Sequence, residues 1–437
     1  MSLLNAQIIA VSVLALCYVF LFSEKLNRAI VVLLGMSVLI FCGILSQKTA
    51  VESIDFNTIS LLIGMMVIVG ISEKSGMFQA LAILSAKIVK ANPRGILLMF
   101  GLLTALLSAL LDNVTTVLLI VPITFDLTRS LKLNPMPYLL LEIFTSNIGG
   151  TATLIGDPPN ILIGSALHLS FMDFVRELTP IVLINLSLVL MVFDITVGRK
   201  LKADENNKAA LLDISAKKMI TEKSLFCQSL FVLCFVLSGF ILAEYLHLEN
   251  GTIALFGAAL MLLLYTLKDE HITRDQKVED AFSLVDWTTI FFFCGLFAIV
   301  FALEETGILK LLGDKLLSIV DGSTQKATFA VLWISAILST FIDNIPFVAT
   351  MIPTLKSIEV DMGGREAMMS VWWALSLGSC LGGNGSLIAA SANVIVAGLA
   401  SRENRPIGFA KFLIYGLPVM LTSMLLSSIY LYLRYFS

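Results

Sequence analysis

Long apolar stretches alternate with short polar connections along most of the chain. A helix needs about 20 mostly apolar residues to cross a bilayer core about 30 Å thick, and this requirement selects a set of candidate spans. They are residues 6–22, 28–45, 57–72, 136–167 (interrupted), 174–197, 224–246, 251–267, 286–303, 368–400 (interrupted) and 408–433. The pattern predicts an all-α polytopic membrane protein with about ten transmembrane helices. The first is predicted to be a retained helix, because it lacks the basic flank and cleavage site of a signal peptide.

Two pairs of shorter apolar stretches do not fit as simple spans, because an Asp-Asn pair divides each of them. The members are 95–111 with 114–128, and 326–342 with 345–358. We predict re-entrant hairpins over 95–128 and 326–358. Irregular backbone at membrane depth is tolerated only inside protein or beside a watery cavity, so both Asp-Asn tips should lie within the protein near the midplane. The Lys-bearing segments 77–91 and 306–320 are predicted to be amphipathic interfacial helices.

The two hairpins belong to an internal duplication. The stretch DNVTT at 112–116 is followed by Pro122, and DNIPF at 343–347 is followed by Pro353, at a shift of 231 residues. The same shift pairs Asp55, Thr58, Gly64, Glu73 and Gly76 with Asp286, Thr289, Gly295, Glu304 and Gly307; a shift of 233 pairs Gly149, Gly150 and Asn160 with Gly382, Gly383 and Asn393. The shared residues are polar groups and helix breakers inside apolar segments, which is where duplicated transporters build their sites.

Lys and Arg residues set the predicted orientation. They cluster in the connections at 25–28, 87–94, 129–132, 198–223, 268–277 and 402–405. Placing these clusters in the cytoplasm requires ten crossings with both termini outside; Lys310, Lys315 and Lys326 are exceptions. Five crossings per copy is an odd number, so the copies should have opposite orientations. We therefore predict a first inverted repeat at 1–197, a cytoplasmic linker at 198–223 and a second repeat at 224–437, in the plasma membrane.

Composition agrees with a membrane protein and excludes several other classes. With 57% hydrophobic and 14% charged residues, the chain has too little polar surface for a soluble globule of 437 residues. The net charge of −3 and the lack of a basic run predict no nucleic-acid partner. The six cysteines lie in apolar segments without C-x-x-C spacing, and the three histidines lie in short polar connections, so neither a disulfide framework nor a metal cluster is predicted.

Each hairpin is followed by a helix that is interrupted at a pair of glycines. The interruptions read SNIGGTAT at 146–153 and SCLGGNGS at 379–386. A break frees backbone carbonyls that attract a cation and N–H groups that attract an anion. We expect both breaks and both hairpin tips to form one central site. Its candidate residues are Asp112, Asn113, Thr115, Thr116, Ser146, Asn147, Gly149, Gly150, Thr151, Thr153, Asp157, Asn160, Asp343, Asn344, Pro346, Ser379, Gly382, Gly383, Asn384, Ser386 and Asn393.

Three carboxylates in the apolar zone need an explanation, namely Asp112, Asp157 and Asp343. A buried carboxylate is costly unless it binds a cation, pairs or carries a proton. We expect a sodium ion or a proton as coupling ion, with sodium held at Asp112, Asn113, Asp343 and Asn344, and no other cofactor. The duplication aligns Asp157 with Ala390, so only one copy offers a carboxylate there.

Simpler roles for the same residues stay open. Asp112 and Asp343 are also good helix caps, and the glycine pairs also permit close helix packing. Other acidic residues, Glu142, Asp194, Glu244 and Glu304, are expected at helix ends or beside Lys rather than in a site.

Four motifs resemble the ion transporter superfamily. They are LDNVTTV at 111–117, NIGGTATLIGDPPN at 147–160, DNIPF at 343–347 and WALSLGSCLGGNGS at 373–386. They are most similar to the branch that contains the melanosomal pink-eyed dilution (P) protein, the arsenite permeases and the NhaD-type sodium/proton antiporters. The resemblance implies a homodimer in which outer helices form a scaffold for a mobile unit of hairpins and broken helices.

The expected function is secondary active transport of a small ion or small organic anion by elevator-type alternating access, coupled to a sodium ion or a proton. A sodium/proton antiporter and an anion channel are the alternatives. An intramembrane enzyme is disfavoured because the sequence has no His or Cys near the hairpin tips. The partners are therefore the lipid bilayer and a small ion or small-molecule substrate.

Overall fold

The computed structural model describes residues 2–23, 25–267 and 271–437, and this part of the chain is helical with no strand. Lys268, one of the residues used to predict the orientation, lies outside it. The first repeat contains α1 (Leu3–Ser23), α2 (Arg28–Phe41), α3 (Gln47–Glu52), α4 (Phe56–Lys74), α5 (Met77–Ile88), α6 (Pro93–Leu110), α7 (Asn113–Ser130), α8 (Met136–Gly150), α9 (Pro158–Leu167) and α10 (Phe171–Thr196).

The linker and the second repeat continue the series. The linker has a 3-10 turn (Gly198–Lys200), α11 (Glu205–Asp213) and α12 (Ala216–Met219). The second repeat contains α13 (Lys223–Leu246), α14 (Asn250–Thr266), α15 (His271–Phe282), α16 (Trp287–Glu305), α17 (Ile308–Val320), α18 (Thr324–Phe341), α19 (Asn344–Ser357), α20 (Met369–Gly382), α21 (Ser391–Arg402) and α22 (Phe409–Tyr435).

Within the described residues, seven helices are long and apolar enough to cross a membrane, judged by length and composition. They are α1, α4, α6, α10, α13, α16 and α22. The set includes α6, which the sequence assigns to a hairpin, and omits the shorter α2 and α14 of 14 and 17 residues. The length and composition of these helices therefore show a multi-pass membrane protein. They do not distinguish a helix that crosses the membrane from one arm of a hairpin.

Matched residues start matched helices in the two repeats. Asp55 caps α4 by accepting from the N–H of Asn57 at 3.0 Å, and Asp286 caps α16 by accepting from the N–H of Thr289 at 3.1 Å. Gly76 and Gly307, with φ of 77° and 75°, precede α5 and α17 in a left-handed conformation that glycine adopts without strain. Each repeat has ten helices in the same order, and this reflects shared local signals.

Fourteen of the described helices form two groups. In the first, α1, α2, α4, α13, α14 and α16 pack together, with α2 against α16 and α4 against α14; we call these the scaffold helices. In the second, α6 to α9 and α18 to α21 pack together, and we call them the hairpin unit. Within the hairpin unit, helices of the first repeat pack against helices of the second, since α7 contacts α21 and α9 contacts α19. The site can therefore draw residues from both repeats.

The linker is partly helical and packs against the first repeat. The Thr221 hydroxyl donates to the carbonyl of Lys74 at 2.7 Å, and the Thr221 N–H donates to the carbonyl of Ser75 at 3.0 Å. These bonds satisfy carbonyls at the end of α4, so the linker also caps that helix.

Candidate functional site

Both hairpin tips are helix caps. The Asp112 carboxylate accepts from the Thr115 N–H at 2.7 Å and from its hydroxyl at 2.6 Å, at the start of α7. Asp343 accepts from the N–H of Ile345 at 3.0 Å, at the start of α19. The capping role is thus present at both tips, and it leaves carboxylate lone pairs for a further ligand.

The glycine pairs lie at helix ends and pack closely. A Cβ on Gly382 would lie 2.8 Å from the carbonyl oxygen of Ala336, and one on Gly149 would overlap the backbone of Ala105. The helices α8 and α20 continue through Gly150 and Gly382, and the irregular segments follow at 151–157 and 383–390. Close approach of α8 to α6, and of α20 to α18, therefore accounts for the first glycine of each pair.

The irregular segments are held by equivalent hydrogen bonds in the two repeats. The Thr153 hydroxyl donates to the carbonyl of Ala109, and the Ser386 hydroxyl donates to the carbonyl of Thr340, each at 2.5 Å. The Asn160 amide donates to the carbonyls of Thr151 and Thr153 at 3.1 and 2.9 Å. Its counterpart Asn393 donates to the carbonyls of Gly383 and Ser386 at 2.7 and 2.9 Å. These bonds satisfy carbonyls that the break exposes.

The repeats are joined at the centre through the same two asparagines. The Asn147 amide on α8 donates to Oδ1 of Asn393 at 3.0 Å and to Oδ1 of Asn384 at 3.0 Å. At the equivalent position on α20, the Cys380 thiol donates to Oδ1 of Asn160 at 3.5 Å, beside the Ser376 hydroxyl at 2.6 Å. Both breaks thus meet in one buried polar centre. Cys380 belongs to this centre, a contact that its place in an apolar segment did not predict.

Several buried polar atoms at this centre lack a partner among the described residues. They are both carboxylate oxygens of Asp157, Oδ1 of Asn147, Nδ2 of Asn384 and the Thr116 hydroxyl. Asp157 is 1% exposed, and the side chains of Asn113 and Cys380 lie near its carboxylate without meeting hydrogen-bond geometry. A buried carboxylate without full pairing is costly, so this position favours a bound cation or a proton.

Two cavities border the hairpin tips. The first, of about 260 Å³, is lined by Asp112, Asn113, Thr115, Asp157 and Asn344, together with residues of α4 and α16; we call it the tip cavity. The second, of about 290 Å³, is lined by Asp343 and Pro346; we call it the Asp343 cavity. Arg28, Ser391 and Ile395 line both, so the cavities adjoin.

The lining of the two cavities is acidic. The tip cavity has Glu73, Asp112, Asp157 and Asp286, and the Asp343 cavity has Asp343. Arg28 is the cationic side chain in the lining of both cavities. Five carboxyl groups thus face one guanidinium, which is an environment that attracts cations.

The remaining predicted residues lie outside the linings of these two cavities. Gly149, Gly150, Gly382 and Gly383 pack against backbone. The others take part in the buried network or adjoin it, namely Thr116, Ser146, Asn147, Thr151, Thr153, Asn160, Ser379, Asn384, Ser386 and Asn393. Ser146 donates to the carbonyl of Asn113 at 3.1 Å, and Ser379 donates to the carbonyl of Leu375 at 2.7 Å. Ser146 therefore joins the first break to the first hairpin tip, whereas this Ser379 bond stays within α20.

Glu142 was expected at a helix end or beside Lys, and this expectation is wrong. Glu142 lies in the middle of α8 and is 1% exposed. One carboxyl oxygen accepts from the Thr124 hydroxyl at 2.5 Å, while the other has no partner in the described part of the chain. It lines neither the tip cavity nor the Asp343 cavity.

Sequence reasoning missed Arg28, Ser391, Glu73 and Asp286 as lining residues. In the sequence, Arg28 was used only to predict the orientation in the membrane, and Glu73 and Asp286 only as matched positions of the duplication. The recurrence of Glu73 and Asp286 at a fixed shift was a signal that could have identified them. Arg28 lies in a polar connection and has no such signal.

A helical membrane protein whose paired hairpins and broken helices enclose a buried acidic centre has the architecture of a transporter. A family model described as "Citrate transporter" matches residues 18–378. The chain belongs to this citrate transporter family, within the ion transporter superfamily.

Relatives support the assignment over the full length. An uncharacterized transporter of Mycobacterium tuberculosis is 37% identical over 434 residues, covering 98% of this chain and 99% of the relative. A 46 kDa membrane protein of Mycobacterium leprae is 35% identical over 433 residues, with 98% and 99% covered. The mouse P protein is 30% identical over 503 residues, covering 97% of this chain and 59% of that longer protein.

A solved structure supports the fold. The YdaH transporter of Alcanivorax borkumensis superposes with a TM-score of 0.54 at 13% identity, covering 86% of this chain and 85% of that one. The predicted all-α membrane architecture and the predicted superfamily are confirmed.

Proposed function

We propose that this protein is a secondary active transporter whose hairpin unit binds a sodium ion or a proton and moves against the scaffold helices by elevator-type alternating access. The observation that carries the proposal is the acid excess in the tip and Asp343 cavities, combined with the unpartnered carboxylate of Asp157. Asp112, Asp157 and Asp343 are the proposed ligands, with Asn113 and Asn344 beside them. Family membership supports transport, and the acid excess supports a cation as the bound ion.

A third cavity supports access from two sides. It has a volume of about 470 Å³ and is lined by the first residues of α4, including Asp55, and by the last turns of α16, including Glu304. The tip cavity is lined instead by the second half of α4 and by the start of α16. The hairpin unit therefore lies between cavities at opposite ends of these helices, as alternating access requires.

Sodium/proton antiport is the form of this mechanism in which the cation is itself the cargo, and the acid excess favours it. An organic anion, such as the citrate of the family description, would enter these cavities only with a cation that offsets its charge. An anion channel is the other alternative, and it would show currents without saturable exchange. The opposed orientation of the repeats, the homodimer, and a plasma-membrane location with both termini outside complete the proposal.

The proposal predicts that Asp343→Asn and Asp157→Asn each abolish coupled transport while the protein stays folded. Asparagine keeps the size of the side chain and the cap at position 343, but it removes the charge that binds the cation. Purified wild-type protein in proteoliposomes should take up radioactive sodium in response to an outward proton gradient, or should move protons in a way that an internal pH dye detects. The two variants should do neither.

The exposed variant Asp361→Asn is the matched control and should transport at the wild-type rate. Thermal unfolding in detergent reports folding. Wild-type rates in Asp343→Asn and Asp157→Asn would remove both carboxylates from the mechanism.

A further inference from the structure

Arg28 is the first residue of α2, and its guanidinium is fixed to the scaffold. Nη2 donates to the Thr289 hydroxyl at 2.6 Å and lies 3.5 Å from Oδ2 of Asp286, both at the start of α16. The guanidinium also lies 5.5 Å from the centre of the Phe292 ring. These contacts join two scaffold helices, so the charge should stay with the scaffold whatever the hairpin unit does.

The same guanidinium reaches the hairpin unit through one further bond. Nη1 donates to the hydroxyl of Ser391, the first residue of α21, at 3.0 Å. Arg28 lines both the tip cavity and the Asp343 cavity, so it shares a cavity with each of Asp112, Asp157 and Asp343. A positive charge that belongs to the scaffold is therefore placed beside carboxylates that belong to the hairpin unit.

The charge is permanent, since a guanidinium does not lose its proton in proteins. Asp286 offsets it only in part, because Nη2 and the carboxylate are 3.5 Å apart and Asp286 also caps α16. A second cation that binds Asp112, Asp157 or Asp343 in this conformation must approach Arg28, and like charges repel.

We infer that Arg28 weakens cation binding in this conformation and thereby promotes release of the cation into the tip and Asp343 cavities. The inference rests on the proposed function. When the hairpin unit moves along the scaffold, its carboxylates leave Arg28 behind, and their affinity for a cation rises. The affinity then differs between the two conformations, so the cation is captured at one side and released at the other.

The test is Arg28→Gln, compared with wild type for sodium/proton exchange in proteoliposomes and for sodium-dependent thermal unfolding in detergent. Without the charge, the half-saturating sodium concentration should fall on the order of tenfold, as expected when a unit charge is removed from beside a partly buried cation site. The maximal exchange rate should fall as well, because release slows. If the bound cation is a proton, the pH midpoint of transport should instead move upward by about one unit.

Two further variants separate the charge from the bonds. Arg28→Lys keeps the charge and should restore the wild-type half-saturation. Ser391→Ala keeps the charge and removes only the bond to the hairpin unit, so it should change the half-saturation by a smaller factor than Arg28→Gln does. If Arg28→Gln leaves half-saturation unchanged, or if Ser391→Ala reproduces the effect of Arg28→Gln, the inference is overturned. Absence of sodium and proton responses in the wild type would instead contradict the proposed function.

Discussion

Two asparagines show how single residues build the centre. Asn160 and Asn393 each donate two hydrogen bonds to carbonyls of their own irregular segment, and each accepts on Oδ1 from the opposite repeat. An amide provides both donors and acceptors, so one side chain closes the break and joins the repeats. The donor from the opposite repeat differs, since Asn147 bonds Asn393 whereas Cys380 bonds Asn160. The two repeats thus place their asparagines in the same geometry but supply different donor groups, an amide in one case and a thiol in the other.

Glu142 gives a residue-scale prediction. Its unpaired oxygen is buried, and the equivalent position in the second repeat holds Leu375, which is also buried. Glu142→Leu combined with Thr124→Val should therefore stabilise the protein by about 1–3 kcal/mol, because the pair removes the unsatisfied buried carboxyl oxygen without leaving the Thr124 hydroxyl unpaired. Transport should be retained, since Glu142 lies outside the linings of the tip and Asp343 cavities.

Thermal unfolding in detergent and exchange in proteoliposomes test this prediction. Thr124→Val alone is the control, because it leaves both oxygens of Glu142 unpaired and should destabilise by a similar amount, about 1–3 kcal/mol. Loss of transport in a stable double variant, with transport retained in Thr124→Val, would show instead that Glu142 carries a proton during the cycle.

At the scale of elements, the contact between a hairpin arm and the following helix organises each repeat. The helices α18 and α20 approach closely at Gly382, and α6 and α8 do so at Gly149. Serines on the hairpin arms strengthen the contact, since Ser339 donates to the carbonyl of Ser379 and Ser108 to that of Ser146, each at 2.7 Å. Small residues that allow close approach, with hydroxyls between the helices, are typical of helix packing in membranes.

Gly382→Ala should therefore destabilise the protein by about 1–3 kcal/mol, because the added methyl group meets backbone that has no room to move. Gly398 in α21 is the matched control, since a Cβ there would meet nothing within 4 Å. Gly398→Ala should leave stability unchanged or raise it by up to about 1 kcal/mol through helix propensity. The thermal unfolding midpoint should be lower for Gly382→Ala than for Gly398→Ala. Equal midpoints for the two variants would contradict the packing explanation.

For the whole molecule, the division between scaffold helices and hairpin unit determines which contacts must change during transport. Asn57 on α4 donates to the Ser165 hydroxyl on α9 at 3.1 Å, and Arg28 donates to Ser391 on α21. Both bonds join the scaffold to the hairpin unit. By contrast, Thr328 and Ser370 lie 2.8 Å apart between α18 and α20, inside the hairpin unit. An elevator motion breaks the first kind of contact and preserves the second.

Cross-linking provides the prediction at this scale. In a background without the native cysteines, bridging Asn57→Cys to Ser165→Cys with mercuric ion should stop transport, and a reducing thiol should restore it. The pair Thr328→Cys and Ser370→Cys is the control and should transport while bridged. Continued transport across the bridged Asn57→Cys and Ser165→Cys pair would exclude movement of the hairpin unit relative to the scaffold at this contact.

Most helix positions followed from the sequence. The predicted stretches 57–72 and 286–303 correspond to α4 and α16, and the hairpin arms correspond to α6, α7, α18 and α19. Runs of apolar residues bounded by Asp, Asn, Gly and Pro are local signals, and local signals are readable along the chain. The roles of Glu142, Cys380 and Arg28 were not predicted, because they depend on contacts with other helices and not on neighbouring residues.

The sequence by itself determined the membrane environment, the duplicated order of helices and the positions of the caps and breaks, because hydrophobic length, helix capping and glycine act over a few neighbouring residues. The tertiary structure alone decided which polar groups meet. It brought Asn147 to Asn393 and Cys380 to Asn160, it buried Glu142 beside Thr124, and it placed Arg28 of the scaffold at the carboxylate cavities. These contacts depend on how helices cross in three dimensions, within a repeat or between the two, and no run of neighbouring residues determines that crossing.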